Sequence, residues 1–384
     1  MGKLTIFLGG DIVPTRNNEH LFINGDGRRL LGDELLKELT DSDANIFNLE
    51  TPLCDELTPI AKCGPNLHAL SACVNGLRAM NITALGCANN HILDHGYDAM
   101  FLTKSICNEY GMDVFGIGKN LQEAAKPYVV KKNGKKVGIY ACAEHEFTIA
   151  TRKKAGANPY DPLYSFDHVE ELKKACDYII VMFHGGKEYF RYPSPEIQRI
   201  CRRFIEKGAD LVVTQHSHCI GCREDYLDGS IIYGQGNFLF DQNNKKNRSY
   251  YASGLLLKIE IFEKKIVKEL PVVLDGFGCI SLAGGEERNI ILSNYEKRSR
   301  EIQKEGFIEN AYAEFALRKI ENYLRIPLGR INDNYLYRLI NVALGHNLHN
   351  IIFGRKHLLE ILNMIECEAH RELWISGIKK KYQS

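Results

Sequence analysis

The sequence carries almost no net charge: 49 Lys and Arg against 48 Asp and Glu leave a formal +1 over 384 residues. A chain so balanced has no global field suited to nucleic acid or an anionic surface. Long apolar runs are missing too. No stretch reaches the roughly 20 residues that a membrane-crossing helix needs. The opening Met1-Gly2-Lys3-Leu4-Thr5-Ile6-Phe7-Leu8 enters a strand-like run without a signal-peptide core. A cytoplasmic chain with no membrane span and no nucleic-acid partner is expected. Repeats and low-complexity tracts are absent. Cysteine is not scarce, with 12 in the chain, but the export signal that would favour disulfides is missing. Cys142, Cys176 and Cys201 sit in apolar periodic segments, where a thiol packs as a small hydrophobe. Cys219-Ile220-Gly221-Cys222 has zinc-site spacing but lacks a second such pair, so structural zinc is not expected there.

What the chain does have, up to about residue 285, is strand–helix alternation. Strand-like runs at 4–8, 45–49, 82–85, 137–142, 178–183 and 211–214 alternate with helical stripes at 30–39, 71–80, 97–109, 169–176 and 195–206. This pattern predicts a layered α/β fold. Residues 255–261 and 266–274 flank a Glu-Lys-Lys turn and read as an antiparallel hairpin in a second, mixed sheet. From about 286 to 384 only helical stripes remain, such as Leu336, Leu339, Ile340 and Ala343, or Leu358, Ile361, Leu362 and Ile365. The division expected is an α/β domain over 1–285 and an all-helical appendage over 286–384. The appendage's one-sided stripes are expected to pack on the core, and the closing Lys379-Lys380-Lys381 to be a solvated tail.

Polar clusters stand at the ends of the strands, the edge where open α/β sheets bind ligands. They are Gly9-Gly10-Asp11 with Arg16, Asn48-Leu49-Glu50, Asn89-Asn90-His91 with Asp94, His184-Gly185-Gly186-Lys187-Glu188-Tyr189 and His216-Ser217-His218. Gly234-Gln235-Gly236-Asn237-Phe238 adds a glycine-flanked turn. Each has an ordinary explanation alone; Asp94, for example, reads as a cap of the helix that follows. Together, carboxylate, amide oxygen and imidazole without thiolate suit a divalent Mn, Zn or Fe centre of one or two ions.

In this order the motifs resemble the CapA family of bacterial capsule and poly-γ-glutamate synthesis proteins, which is similar to the calcineurin-like metallophosphoesterases. The resemblance covers roughly residues 3–275 and includes Phe115-Gly116-Ile117-Gly118, Glu123-Ala124 and Lys126-Pro127. It implies a four-layer α/β/β/α metallophosphoesterase-like sandwich. It places Asp11 on one metal, Glu50 as the bridging carboxylate, Asn90, His184 and His216 on the second metal, and His218 back on the first. His91 becomes the proton donor to the leaving group, and Arg16, Lys187 and Glu188 face the substrate. Two positions depart from the phosphoesterase plan: Val13 stands where those enzymes have a histidine, and Glu50 replaces an aspartate.

The function expected is a metal-dependent hydrolase or transferase in capsule, poly-γ-glutamate or exopolysaccharide synthesis. Its substrate would be a small molecule or polymer precursor, and capsule-synthesis proteins are candidate partners. The alternatives are a non-catalytic accessory subunit and a general phosphodiesterase or phosphatase.

Overall fold

Strands that are apolar on both faces must be covered on both sides, and the structure satisfies this twice over. The computed structural model describes every residue except Met1, 241–247, 325, 330, 332, 333, 346, 347 and 384. The first elements are β1 (Leu4–Ile12), α1 (Glu19–Ile23), α2 (Gly27–Thr40), β2 (Ala44–Leu49), α3 (Val74–Ala79), β3 (Ala84–Gly86), α4 (Gly96–Glu109), β4 (Asp113–Phe115) and β5 (Ile117–Gly118). Next come α5 (Leu121–Ala124), β6 (Tyr128–Lys132), β7 (Lys135–Ala143), β8 (Gly156–Ala157), α6 (Ser165–Ala175), β9 (Tyr178–His184), α7 (Pro195–Glu206), β10 (Leu211–Gln215) and β11 (Ile220–Tyr226). The series closes with β12 (Gly229–Gln235), β13 (Asn237–Leu239), α8 (Arg248–Tyr251), β14 (Ser253–Ile261), β15 (Lys265–Leu274), β16 (Ile280–Leu282), α9 (Gly285–Glu301) and α10 (Phe307–Leu324).

One sheet runs β16-β15-β14-β1-β2-β3-β4 with β13 beside β1, and the other runs β11-β12-β10-β9-β7-β6. In the first, β1, β2, β3 and β4 are mutually parallel; in the second, β7, β9, β10 and β12 are. The predicted hairpin forms as β14 and β15, with Ile261 opposite Lys265, but it extends the first sheet, since β14 pairs with β1.

Alternation along the strands builds the layers. Leu4, Ile6 and Leu8 of β1 meet Ile180 and Met182 of β9 in the core between the sheets, while Phe7 faces the other way, toward α2 and α4. Ile179, Val181 and Phe183 turn outward onto α6 and α7, packing with Val169, Leu172 and Phe204. The order is therefore helix, sheet, sheet, helix, as expected.

The chain divides into two compact units, Met1–Tyr312 and Ala313–Ser384. Helix α9 belongs to the first, although the compositional change at 285 precedes it. Its Tyr295 enters the inter-sheet core, Arg298 Nε donates to the Gly221 carbonyl at 2.6 Å, and Ser299 Oγ accepts from Arg223 N at 2.8 Å. The second unit is helical over the described residues, as expected. Within it Leu336, Leu339, Ile340, Leu358, Leu362 and Ile365 are exposed. The lysine run is exposed, as expected of a solvated segment, but it lies inside a helix spanning Glu368–Gln383.

Candidate metal centre

The C-terminal ends of parallel strands from both sheets converge on one cluster. Asp11 lies near the end of β1, in register with Asn48 and with Asn237. Between Leu8 and Asp11 the pairing with β2 shifts register at Gly9-Gly10. A Cβ on Gly10 would sit 2.1 Å from the Gly236 carbonyl oxygen, so only glycine permits this approach of β1 to the turn before β13. Glu50 follows β2, Asn89, Asn90 and His91 follow β3, His184 ends β9, and His216 and His218 follow β10.

Both histidines of the His-Ser-His turn have left-handed backbone, φ +82° at His216 and +54° at His218. Such conformations cost a β-carbon-bearing residue on the order of 1–3 kcal/mol and cluster at functional sites. Surrounding contacts hold the turn in place. His216 N donates to Asp11 Oδ2 at 3.3 Å, and Tyr189 N donates to the Ser217 carbonyl at 2.9 Å.

The six residues placed on metals by the resemblance come together. His184 Nε2 lies 3.2 Å from Glu50 Oε1 and 3.1 Å from Asn90 Oδ1. His216 Nδ1 is 3.9 Å from Glu50 Oε1, and His218 Nδ1 is 3.7 Å from Asp11 Oδ2. Two three-residue groups result, Glu50–His184–His216 and Asp11–Glu50–His218, each with its candidate ligand atoms within 4.8 Å of one another. Glu50 belongs to both.

The donor set fits a divalent cation. Both carboxylate oxygens of Glu50 and Nδ1 of His216 are buried and make no hydrogen bond with the described residues. Leaving such groups unmatched is costly. Carboxylates and imidazoles within one ligand radius would be matched by a shared cation.

The charges are unevenly distributed. Burial, reinforced by the Glu50 charge, holds the Asp11 carboxyl well above the usual carboxylate range. Burial opposes ionisation of Glu50 as well, yet the imidazoles of His184, His218 and His216 outweigh it and hold Glu50 well below that range. His184 is pushed down to about 4 by burial. His216, also buried, is lifted instead to about 9 by the Glu50 carboxylate, with Glu188 and Glu146 adding to the effect.

Neighbouring residues shape the cluster, and of these Glu146 and Lys62 did not stand out in the sequence. Asn48 Nδ2 donates to Asp11 Oδ1 at 2.8 Å and lies 3.3 Å from His184 Nδ1; Asn89 Nδ2 donates to Asn48 Oδ1 at 3.1 Å. Glu146 accepts from Asn90 Nδ2 at 3.4 Å, and Asn237 Oδ1 lies 2.9 Å from His218 Nδ1. Asp94 is not the cap of α4, whose N-cap is His95. It accepts from His91 Nδ1 at 2.6 Å, from Leu67 N at 2.6 Å and from Lys62 Nζ. Lys62 is itself sealed in, its side chain 2% exposed. Nothing in the polar loop 58–66 distinguishes this lysine from a solvated one. Of the residues assigned to substrate, His91 is buried beside the cluster and Glu188 is half-buried. Arg16 and Lys187 are exposed on the turns after β1 and β9.

Residues 5–242 match the model of the bacterial capsule synthesis protein family PGA_cap. The chain belongs to this family. It is 29% identical over 249 residues to the capsule biosynthesis protein CapA of Bacillus anthracis, covering 62% of this chain and 60% of that protein. It is 32% identical over 178 residues to the PGA biosynthesis protein CapA of Bacillus subtilis, covering 46% and 47%. A probable polyglutamine synthesis accessory protein of Mycobacterium tuberculosis is 27% identical over 271 residues, 64% and 68% of the two chains. The chain thus matches about half to two thirds of these relatives' lengths. Among solved structures, a phosphatase of Mycoplasma pneumoniae superposes with TM-score 0.44 at 15% identity, over 71% of this chain and 94% of that one.

Proposed function

We propose that this member of the capsule synthesis family is a metal-dependent hydrolase or transferase acting on a polymer precursor of capsule or poly-γ-glutamate synthesis. The observation that carries the reading is Glu50, a buried carboxylate without hydrogen-bond partners among the described residues that is shared by two ligand groups. In this reading Asp11, Glu50 and His218 hold one divalent cation, and Glu50, His184, His216 and Asn90 hold a second, Mn, Zn or Fe by donor type. A divalent cation held there supplies positive charge that polarises a phosphoryl or acyl oxygen and acidifies water.

The chain's own residues do the rest. Asp94 fixes the His91 ring through Nδ1, which leaves Nε2 to pass a proton to or from the reacting group. Asn48 and Asn237 orient Asp11 and His218. Glu188, beside the histidines, and the exposed Arg16 and Lys187 are proposed to meet the substrate. The burial of all six candidate ligands favours this reading over a phosphoesterase scaffold retained as an accessory subunit. The test is a screen of phosphomonoesters, phosphodiesters and γ-glutamyl peptides with Mn or Zn added. Metal-dependent turnover lost in Glu50→Gln supports the proposal, and bound metal without turnover of any class supports the accessory reading.

A further inference from the structure

Tyr140 stands on the outer face of β7, away from the core between the sheets, and packs there with Val169 and Phe204. Beside it a cavity of about 530 Å³ opens between α5 and the first turn of α6, a volume that suits a small organic ligand. None of its lining residues belongs to the metal cluster. At its buried end Tyr140 and Ser165 are each 1% exposed. Tyr140 OH donates to Ser165 Oγ at 3.1 Å, and Asp161 N donates to the same oxygen at 2.9 Å. Both acceptor positions of Ser165 are then filled, and its own hydroxyl hydrogen has no acceptor among the described residues. Tyr140 OH also lies 3.2 Å from His168 Nδ1. Its single hydrogen is committed to Ser165, so in this network Nδ1 carries the proton. Burial pushes the His168 ring down from its ordinary value; it is neutral near pH 7, and Nε2 is left as an acceptor. The cavity thus holds an unused donor beside an unused acceptor.

The walls are apolar, formed by Leu121, Pro127, Pro159 and the ring of Tyr164, which is 45% exposed. Lys126 and Arg152 add two exposed cations, and Asp161 is the one carboxylate of the lining. Neither cation forms an ion pair with the described residues, while Asp161 Oδ1 is already held by Leu163 N at 2.8 Å. A ligand that matches all three zones has an edge with a donor and an acceptor, a flat face for Tyr164 and an anionic group. A small aliphatic carboxylate would use the cations and leave the other two unmatched. We propose that this cavity binds a nucleoside monophosphate, with the base edge at Ser165 and His168, the base face against Tyr164 and the phosphate at Lys126 and Arg152.

The test is calorimetric titration of the full chain with adenosine, guanosine, cytidine and uridine monophosphates, beside the free nucleosides and inorganic phosphate. Each titration is run with the chain as purified and again with chelator present. At least one nucleotide should bind, about tenfold or more tighter than inorganic phosphate, and equally well in both conditions. The combined Lys126→Ala and Arg152→Ala variant changes only exposed side chains. It should weaken the nucleotide about tenfold or more and leave the nucleoside unaffected. Tyr164→Ala should weaken nucleotide and nucleoside alike, about fivefold or more. Absence of binding by all four nucleotides overturns the proposal, and so does phosphate binding as tightly as they do. Binding that disappears with chelator overturns it too and assigns the nucleotide to the metal centre, as does binding that neither variant changes.

Discussion

Glu50, carried at the end of a strand in the first sheet, places its Oε1 3.2 Å from Nε2 of His184, which ends a strand of the second sheet. The cluster therefore straddles the seam between the sheets. It exists only when the core between them is intact, a core formed by Ile6, Leu8, Ile180 and Met182 among others. Folding and site assembly are one event.

That seam sets a pH dependence. His216 is lifted to about 9, so near neutral pH its ring carries a proton in the metal-free protein. A protonated imidazole cannot ligate, and cation binding through His216 must expel that proton. Apparent affinity for Mn or Zn should rise with pH up to about 9 and fall as the solution is acidified. Calorimetric titrations in two buffers of different ionisation enthalpy measure the proton directly; identical heats in both buffers would exclude His216 as a ligand.

His91→Ala should spare metal content and slow turnover. The ring is held by Asp94 rather than by the Glu50 group, and removal of a proton-transfer residue costs about 10²–10⁴-fold in rate. Elemental analysis beside steady-state kinetics separates the two effects. Loss of metal in this variant would make His91 part of the cation site.

Lys62→Met should destabilise the fold. Lys62 and Asp94 form an almost fully buried ion pair, and breaking such a pair from one side costs about 3–5 kcal/mol because the other charge stays buried. Asp94→Asn in the same chain should recover part of that loss. Urea unfolding of the two single variants and the double variant gives the coupling, and additive single effects would show that the pair contributes little.

Gly10→Ala tests the close approach at the β1 bulge. With the new Cβ 2.1 Å from the Gly236 carbonyl oxygen, backbone must move. Overpacking of this kind costs about 1–3 kcal/mol or more. A lowered melting temperature together with weaker metal binding is expected, because Asp11 is the next residue; an unchanged melting temperature would mean that the strand shifts freely.

Much of this site was legible because its residues stand just past apolar runs. The six candidate ligands each follow or end such a run, and the layered fold follows from the same alternation. What could not be read depends on chain crossings. Lys62 looks like any loop lysine until the loop brings it to Asp94, and Asp94 looks like a helix cap until Leu67 and His91 close on it. Glu146 lies in a polar stretch between strands, and only the approach to Asn90 singles it out. The compositional break at 285 did not mark the end of the first unit, because α9, polar over much of its surface, still sends Tyr295 into the core. Amphipathic stripes in 313–384 gave the helices correctly, but periodicity does not say what covers them.

The sharpest test of the central claim is the metal content of chain purified without chelator, measured by elemental analysis for the parent and for Glu50→Gln side by side. Glu50 is shared by both ligand groups, so one substitution acts on both. The expected result is one or two Mn, Zn or Fe ions per parent chain and none in the folded variant. A parent chain free of metal, with no thermal shift on adding Mn or Zn, would contradict a metal centre at this seam.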